Sequence, residues 1–243
     1  MKNFWKVVNE VIKESDILLI VLDARVIDET RNKEIEDKVE KANKKLIYVI
    51  NKSDLVPRSY LEKQKRRFKR AIFISSLKKQ GTTILLHKIM ETGQKDEIVV
   101  GVLGYPNVGK SSVINALKGK ASASTSSQSG HTKGKQLLRI NNRVSILDTP
   151  GVLPYMEKDE IKHALTASID PSKIKDPEDV VRYILQAHKG LLEQYFKVEP
   201  HKDPAKVLER IALKKNVLIK GGGPDIDRMA RTILRLWQKG KIK

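Results

Sequence analysis

Cysteine is absent from the 243-residue sequence, which excludes disulfides, thiol catalysis and thiolate metal sites and is typical of a reducing compartment. Aromatic residues make up only 5% of the chain, so stacking of nucleic-acid bases on aromatic rings is not expected. No apolar run approaches the roughly 20 residues of a membrane-spanning helix. The residues after Met1 do not resemble a secretory signal. We therefore expect a cytoplasmic protein without a membrane partner.

Acidic residues are scarce relative to basic ones. The chain has 29 Asp and Glu residues against 48 Lys and Arg residues, which gives a formal net charge of +19. Solubility alone needs a net charge of only about 2 to 8 in magnitude. The excess predicts a polyanionic partner, and nucleic acid fits better than an acidic protein. A lysine-rich surface adapted to heat or high salt is the alternative.

Residues 104–111 read G-Y-P-N-V-G-K-S, which matches the phosphate-loop pattern G-x-x-x-x-G-K-[ST]. The glycines let backbone N–H groups close around an anion, Lys110 adds a point charge, and the Ser111 hydroxyl can bind magnesium. A predicted strand (97–103) precedes the loop, and a predicted helix (112–117) follows it and adds its dipole. This context makes a chance match in a glycine turn the weaker interpretation.

A second motif precedes the phosphate loop. Predicted strands at 17–22 and 46–50 flank a predicted helix at 32–43, which indicates a parallel pair. Asn51, Lys52, Ser53 and Asp54 follow the second strand, where ligands of parallel sheets bind. The Asp54 carboxylate can accept hydrogen bonds from N1–H and the 2-amino group of guanine, which adenine lacks. The Lys52 stem can lie along the base and Asn51 can brace neighbouring loops. A polar turn is the alternative.

The third stretch combines a basic helix with a small-residue turn. The capping-box pattern S-Y-L-E predicts a helix that begins at Ser59. Its basic residues favour a phosphate-binding face and a solvated helix face about equally; they are Lys63, Lys65, Arg66, Arg67, Lys69 and Arg70. A strand is predicted at 71–74, and the turn at Ser75, Ser76 and Leu77 can present an N–H group to guanine O6.

Residues 121–135 are rich in Ser, Gly and Thr. We expect this segment to be a loop that a bound nucleotide orders, and a flexible linker is the alternative. Thr132 is its best candidate for a hydroxyl on magnesium. Strands at 136–140 and 144–147 are predicted to pair as a hairpin. Asp148 at the end of the second strand can hold magnesium through water. The N–H of Gly151 can reach a γ-phosphate, which completes a D-x-x-G pattern.

From residue 157 onward, helical patterns replace strands. We expect an α/β domain at residues 1–156 and a small α-helical domain at 157–243. Helices are predicted to begin at Asp176-Pro177 and Asp203-Pro204 because an N-cap aspartate precedes a first-turn proline at each. The histidines here are scattered without the spacing of metal ligands.

The complete motif set resembles that of Ras-like GTPases, but Asn51 to Asp54 precede the phosphate loop instead of following it. The sequence therefore resembles a circularly permuted GTPase, and in particular the YlqF/RbgA family of ribosome-assembly GTPases. The segments that carry this resemblance are 23–25 (D-A-R), 104–112, 148–151 and 220–225 (K-G-G-G-P-D). Two departures are Val26-Ile27 after Arg25, where a proline is expected nearby, and Leu77 in place of lysine. The resemblance implies a mostly parallel six-stranded sheet with one antiparallel hairpin.

The resemblance also implies a function. It implies a monomer that hydrolyses GTP to GDP as a switch in large ribosomal subunit assembly and binds ribosomal RNA. Val152 stands where a Ras-like enzyme has the glutamine that orients water. Slow intrinsic turnover is therefore implied, stimulated by potassium at Asn107 and by ribosomal particles. The implied catalytic residues are Lys110, Asn107, Thr132 and Gly151. The implied magnesium ligands are Ser111, Thr132 and Asp148. The implied GTP-binding residues are Asn51, Lys52, Asp54, Ser75, Ser76, Leu77, Asn107, Val108, Gly109, Lys110, Ser111, Ser112 and Gly151.

Two other functions remain open from the sequence. A basic P-loop ATPase or kinase would also carry residues 104–111, but the guanine-specific pattern at Asp54 argues against it. A basic RNA-binding assembly factor with weak or vestigial nucleotide hydrolysis is the main alternative. The intact Lys110, Ser111 and Asp148 argue against a vestigial site.

Overall fold

A computed structural model of the chain describes residues 2–68, 70–121, 136–148 and 159–242. The chain falls into two compact units, Met1–Glu157 and Lys158–Lys243. The domain boundary predicted between residues 156 and 157 lies outside the described residues. None of the helices within the described ranges is long and apolar enough to span a membrane.

The first unit is built on one β-sheet. Its strands are β1 (Ile17–Asp23), β2 (Lys45–Asn51), β3 (Ala71–Phe73), β4 (Ile98–Gly104), β5 (Gln136–Arg139) and β6 (Val144–Asp148). The strand order is β3-β2-β1-β4-β6-β5. All neighbouring strands are parallel except β5 and β6. The predicted six-stranded sheet with one antiparallel hairpin is therefore confirmed.

Helices cover both faces of this sheet, which explains why its central strands are apolar throughout. They are α1 (Lys2–Glu14), α2 (Ile27–Thr30), α3 (Lys33–Lys41), α4 (Arg58–Lys65), α5 (Thr82–Gly93) and α6 (Lys110–Ala121). Alternate residues of β1 point to opposite faces. Ile17, Leu19 and Val21 belong to a core with apolar residues of α5 and α6. Leu18, Ile20 and Leu22 belong to a second core with residues of α1 and α3.

The sheet brings the ends of three neighbouring strands to one edge. Asp23 at the end of β1 pairs in register with Asn51 at the end of β2. On the other side, Val21 of β1 pairs with Gly104, the last residue of β4. Because the carboxyl ends of parallel strands meet at one edge, the loops after β1, β2 and β4 lie side by side.

The start of α4 differs from the prediction. The helix begins at Arg58, and its N-cap is Pro57, which makes no side-chain capping hydrogen bond. Pro57 has an extended backbone with φ −62° and ψ 146°, and it ends the preceding loop. Ser59 is therefore already inside the first turn. The helix begins within one residue of the predicted start, but the predicted capping box does not form its N-terminal cap. A proline can provide the entry into a helix without a side-chain acceptor.

The second unit is entirely helical in its described part. It contains α7 (Glu160–Leu165), α8 (Pro177–Ala187), α9 (Leu191–Phe196), α10 (Pro204–Lys214) and α11 (Ile226–Gln238). Helix α11 packs against α8 and α10. Trp237 is fully buried among these helices, and its indole N–H donates to Leu165 O at 3.1 Å. The prediction that helices replace strands in this segment is confirmed.

Candidate nucleotide site

The phosphate-loop motif forms the turn from β4 into α6. Gly109 has φ +99°, and a Cβ placed on it would lie 2.3 Å from Asn51 Nδ2. Glycine is therefore required there both by the backbone conformation and by the close approach of a neighbouring side chain. The loop leads directly into Lys110, the first residue of α6. The first-turn N–H groups of a helix have no acceptor within the helix, so this end can bind an anion.

Lys110 points its ammonium back over the loop. Nζ donates to Gly104 O at 2.8 Å and to Tyr105 O at 2.6 Å. Burial lowers the pKa of Lys110 to about 8, because the charged form is less well solvated there. The ammonium is thus still mostly protonated at neutral pH, and phosphate oxygens are stronger acceptors for it than carbonyl groups.

Asn51 joins the base-recognition motif to the phosphate loop. Its Nδ2 donates to Val108 O at 2.9 Å, and its Oδ1 accepts from Ser76 N at 3.1 Å. The residue is 1% exposed, so both bonds are shielded from water. One side chain therefore connects three loops that are 25 to 57 residues apart in sequence. The bracing role predicted for Asn51 is present in this geometry.

Lys52 bridges the same two motifs by a second path. Its Nζ donates to Asn107 O at 2.7 Å and to Asp23 Oδ2 at 2.8 Å. Asp23 also accepts from Arg25 Nε at 3.0 Å and from Arg25 Nη2 at 2.7 Å, so the guanidinium binds the carboxylate with two parallel bonds. The Asp23 carboxylate therefore holds Lys52 from one side while the phosphate loop holds it from the other.

Burial and the neighbouring charges shift the pKa values of Asp23 and Lys52. Burial would raise the pKa of Asp23, but Arg25 and Lys52 together hold it at about 2. Burial lowers the pKa of Lys52, and the Asp23 carboxylate opposes that shift. Asp23 is ionised in the folded chain at neutral pH. Its stabilising contribution is complete above the unfolded-state pKa near 4 and is lost as pH falls through about 2.

Asp54 lies in a short 3-10 turn, Ser53–Leu55, that directly follows Lys52. Its side chain is 7% exposed, and Oδ2 is 3.5 Å from Lys78 Nζ. Lys52 precedes this turn in a left-handed conformation with φ +60°. The reversal of the chain at Lys52 sets Asp54 beside the turn that contains Lys78.

The turn after β3 contributes backbone N–H groups. Ser75 N donates to Gln80 O, Ser76 N to Asn51 Oδ1, and Lys78 N to Ser75 Oγ. Within the described chain, the N–H of Leu77 has no hydrogen-bond acceptor, and its side chain is 87% exposed. Among the three predicted residues, Leu77 is therefore the one whose backbone is available to a base carbonyl.

The predicted magnesium ligands are only partly described. Ser111 lies in the first turn of α6, and the backbone of Asp148 ends β6, next to β4. Thr132, Gly151 and Val152 lie outside the described residues. A hydroxyl and a carboxylate are hard oxygen donors of the kind that magnesium prefers. No group of three or more His, Cys, Asp or Glu side chains that could hold a metal ion occurs in the described residues.

Comparison with known proteins agrees with this geometry. A family model described as RsgA GTPase matches residues 9–155, and one described as 50S ribosome-binding GTPase matches residues 99–219. The structure of GNP-bound YlqF from Thermotoga maritima superposes with a TM-score of 0.66 at 26% identity, over 98% of this chain and 94% of that one. The chain belongs to the YlqF family of circularly permuted GTPases. The family resemblance inferred from the motif order is thereby confirmed.

Curated relatives of this YlqF-family chain are longer. A GTP-binding protein of Methanocaldococcus jannaschii is 40% identical over 98% of this chain and 65% of that protein. Nucleolar GTP-binding protein 2 of Saccharomyces cerevisiae is 33% identical over 99% of this chain and 52% of that protein. The chain thus spans about two thirds of the archaeal relative and half of the yeast one.

Asp23 and Arg25 are the site residues that the sequence reasoning missed. Their D-A-R segment enters the predictions from the sequence only through the family resemblance. A usable signal was present, because β1 and β2 are adjacent parallel strands that both end in a polar residue. The register pair Asp23 and Asn51 follows from that adjacency.

Proposed function

We propose that this chain binds GTP and hydrolyses it to GDP and phosphate as a switch in assembly of the large ribosomal subunit, where it contacts ribosomal RNA. The observation that carries the nucleotide part is the pair of Asn51 hydrogen bonds to Val108 O and Ser76 N. These bonds hold a phosphate loop and a guanine-recognition motif in one site. A cytoplasmic location and a monomeric state stay predictions from the sequence.

Guanine recognition uses groups from two turns. The Asp54 carboxylate accepts from N1–H and the 2-amino group, and the N–H of Leu77 donates to O6. The Lys52 side chain, fixed at its ammonium by Asp23 and Asn107 O, offers its methylene groups to the base plane. Adenine presents an acceptor at N1 and no 2-amino group, so it would offer the shielded Asp54 carboxylate no donor from the base, which is costly.

The phosphates bind at the start of α6. The N–H groups of Gly109, Lys110 and Ser111 surround the β-phosphate, and the Lys110 ammonium exchanges its carbonyl acceptors for phosphate oxygens. Ser111, Asp148 and Thr132 would hold magnesium, which neutralises charge on the β- and γ-phosphates when bound. In hydrolysis, water attacks the γ-phosphorus, and the bond to the bridging oxygen breaks. GDP keeps the bridging oxygen, and the attacking water becomes part of inorganic phosphate. The contact that the N–H of Gly151 would make to the γ-phosphate of bound GTP is lost when this phosphate leaves.

Slow intrinsic turnover is part of the proposal. Val152 has no polar group with which to orient water. A potassium ion held by the Asn107 side chain would stabilise charge that develops at the bridging oxygen. A ribosomal particle would supply the remaining activation. The 50S ribosome-binding description of one matching family and the nucleolar name of the yeast relative support the ribosomal context.

A turnover assay with GTP in three conditions tests this proposal. We expect turnover to be roughly 10-fold to 100-fold faster in potassium than in sodium, the effect of one well-placed charge in a transition state. Large-subunit particles should accelerate it further. Asn107→Gly keeps the left-handed backbone at φ +58° and removes the side chain, so it should lose the potassium effect. Lys110→Ala should lose turnover in every condition. Equal rates in sodium, in potassium and with particles contradict the proposed activation.

A further inference from the structure

The surplus of positive charge is concentrated on one exposed segment of the first unit. This segment, which we call the α4 basic face, carries Arg58, Lys63, Lys65, Arg66 and Arg70, all of them exposed. Only one acidic residue, Glu62, lies on the same helix, and it pairs with Lys65 at 2.7 Å. The neighbouring helix α3, by contrast, alternates acidic and basic residues and has no such excess.

Four cations of this face have no acidic partner among the residues that the structure describes. Within the described residues, no ion pair involves Arg58, Lys63, Arg66 or Arg70. The hydrogen bond from Lys65 lowers the pKa of Glu62, and the nearby charges of Arg58 and Arg66 lower it further. One carboxylate is thus shared by three cations. Counted over the described residues, the face therefore keeps a net positive charge, which an external anion can balance.

The α4 basic face is held rigidly on the domain. Gln64 on the opposite side of α4 is buried, and Phe68 just beyond the helix is buried in the core shared with α1 and α3. Arg67 is turned away from the face, where it binds Asp28 at 2.7 Å and 3.1 Å. Cations mounted on such an anchored segment lose little backbone entropy on binding.

The side-chain types on the α4 basic face indicate which class of partner it binds. Three of the four unpaired cations are arginines, whose planar guanidinium matches the two oxygens of a phosphate. A membrane-surface helix carries large apolar residues for insertion, and a protein-binding helix carries aromatic or aliphatic anchors. The exposed positions of α4 are Arg58, Ser59, Glu62, Lys63 and Lys65, none of which is apolar. The chemistry therefore fits a nucleic-acid backbone.

We propose that the α4 basic face is the surface through which the first unit contacts RNA phosphates. This inference rests on the proposed function for the identity of the nucleic acid as ribosomal RNA. It adds the contact residues, Arg58, Lys63, Arg66 and Arg70. Since phosphate contacts release counterions, each of these residues adds to the salt dependence of binding. The contact lies outside the nucleotide site, so its loss leaves nucleotide affinity unchanged.

The test measures binding of the full chain to purified large-subunit ribosomal RNA as a function of KCl concentration. Replacement of all four residues by Gln should weaken binding about 100-fold or more near 0.1 M salt and reduce the log–log salt slope by about 3. Lys63→Gln and Arg66→Gln alone should each reduce the slope by about 1. Retained GDP affinity and melting temperature show that each variant is folded.

A matched control removes the same charge elsewhere in the unit. Lys6, Lys13, Lys33 and Lys41 are exposed on α1 and α3, and their joint replacement by Gln should change the slope by less than about 1. Equal losses in both quadruple variants overturn the proposal, as does tighter wild-type binding to anionic vesicles than to the RNA. If the wild-type chain binds no ribosomal RNA, the RNA part of the proposed function fails too. If it binds and the α4 variant matches it, only this inference fails.

Discussion

Asp54→Asn is expected to exchange guanine preference for xanthine preference. In the proposed site the carboxylate accepts two hydrogen bonds from guanine, and bonds to a charged group contribute about 1.5 to 3 kcal/mol each. Loss of this pairing should weaken GTP and GDP binding on the order of 100-fold to 1,000-fold. The amide introduced at position 54 accepts from N1–H of xanthine and donates to its O2, so XTP should become the better ligand. Equilibrium competition among GTP, XTP and ATP measures the exchange.

Asp37→Asn is the matched control for this variant. It makes the same chemical change at an exposed position of α3, outside the site, and should leave the GTP preference intact. A variant Asp54→Asn that still prefers GTP over XTP would sink the assignment of Asp54 to guanine recognition. Loss of binding to all nucleotides together with a lower melting temperature would instead assign Asp54 a structural role through Lys78.

Asp23→Asn is expected to weaken both the fold and the nucleotide site. The carboxylate is 1% exposed and neutralises the buried Arg25 guanidinium. Breaking a buried ion pair from one side costs about 3 to 5 kcal/mol, because an unpaired charge is left in the interior. Denaturant unfolding should show a loss of this size. GDP affinity should fall as well, because Lys52 loses the anchor that sets its position under the base.

Lys52→Met separates the two effects. It removes the same Asp23–Lys52 bond but leaves the paired bonds between Asp23 and Arg25 in place. The variant should therefore lose GDP affinity with a much smaller loss of unfolding free energy than Asp23→Asn. In a double-mutant cycle on GDP affinity, the double variant should lose less than the sum of the single losses. Additive losses within about 0.5 kcal/mol would show that Asp23 does not act through Lys52.

Much of this architecture is readable from the sequence because its signals are local. Six short runs with apolar residues predict the six strands, and the spacing of Gly104, Gly109 and Lys110 predicts the phosphate loop. The order of the motifs predicts the permutation, because a sheet edge brings strand ends together regardless of their order along the chain. Asp176 and Asp203 likewise precede helices that begin with proline.

Long-range partners are harder to predict. Asp23 and Lys52 are 29 residues apart, and their bond depends on the register of β1 and β2 rather than on any local pattern. The choice of Leu77 among the three turn residues also depends on a distant residue, because Asn51 already accepts a hydrogen bond from the N–H of Ser76. The wrong N-terminal cap predicted for α4 has a different cause. A capping-box pattern and a proline that can precede a helix lie within a few residues of each other there. Nothing in the sequence indicates which of them provides the N-terminal cap.

The central claim is that segments 51–54, 75–77 and 104–112 form a single guanine-nucleotide site although their order is inverted. Hydrogen exchange of the full chain, with and without GDP, tests this most directly. We expect slower exchange in all three segments with GDP and no change with the same concentration of ADP. Protection confined to residues 104–112, or equal protection by ADP, would contradict it.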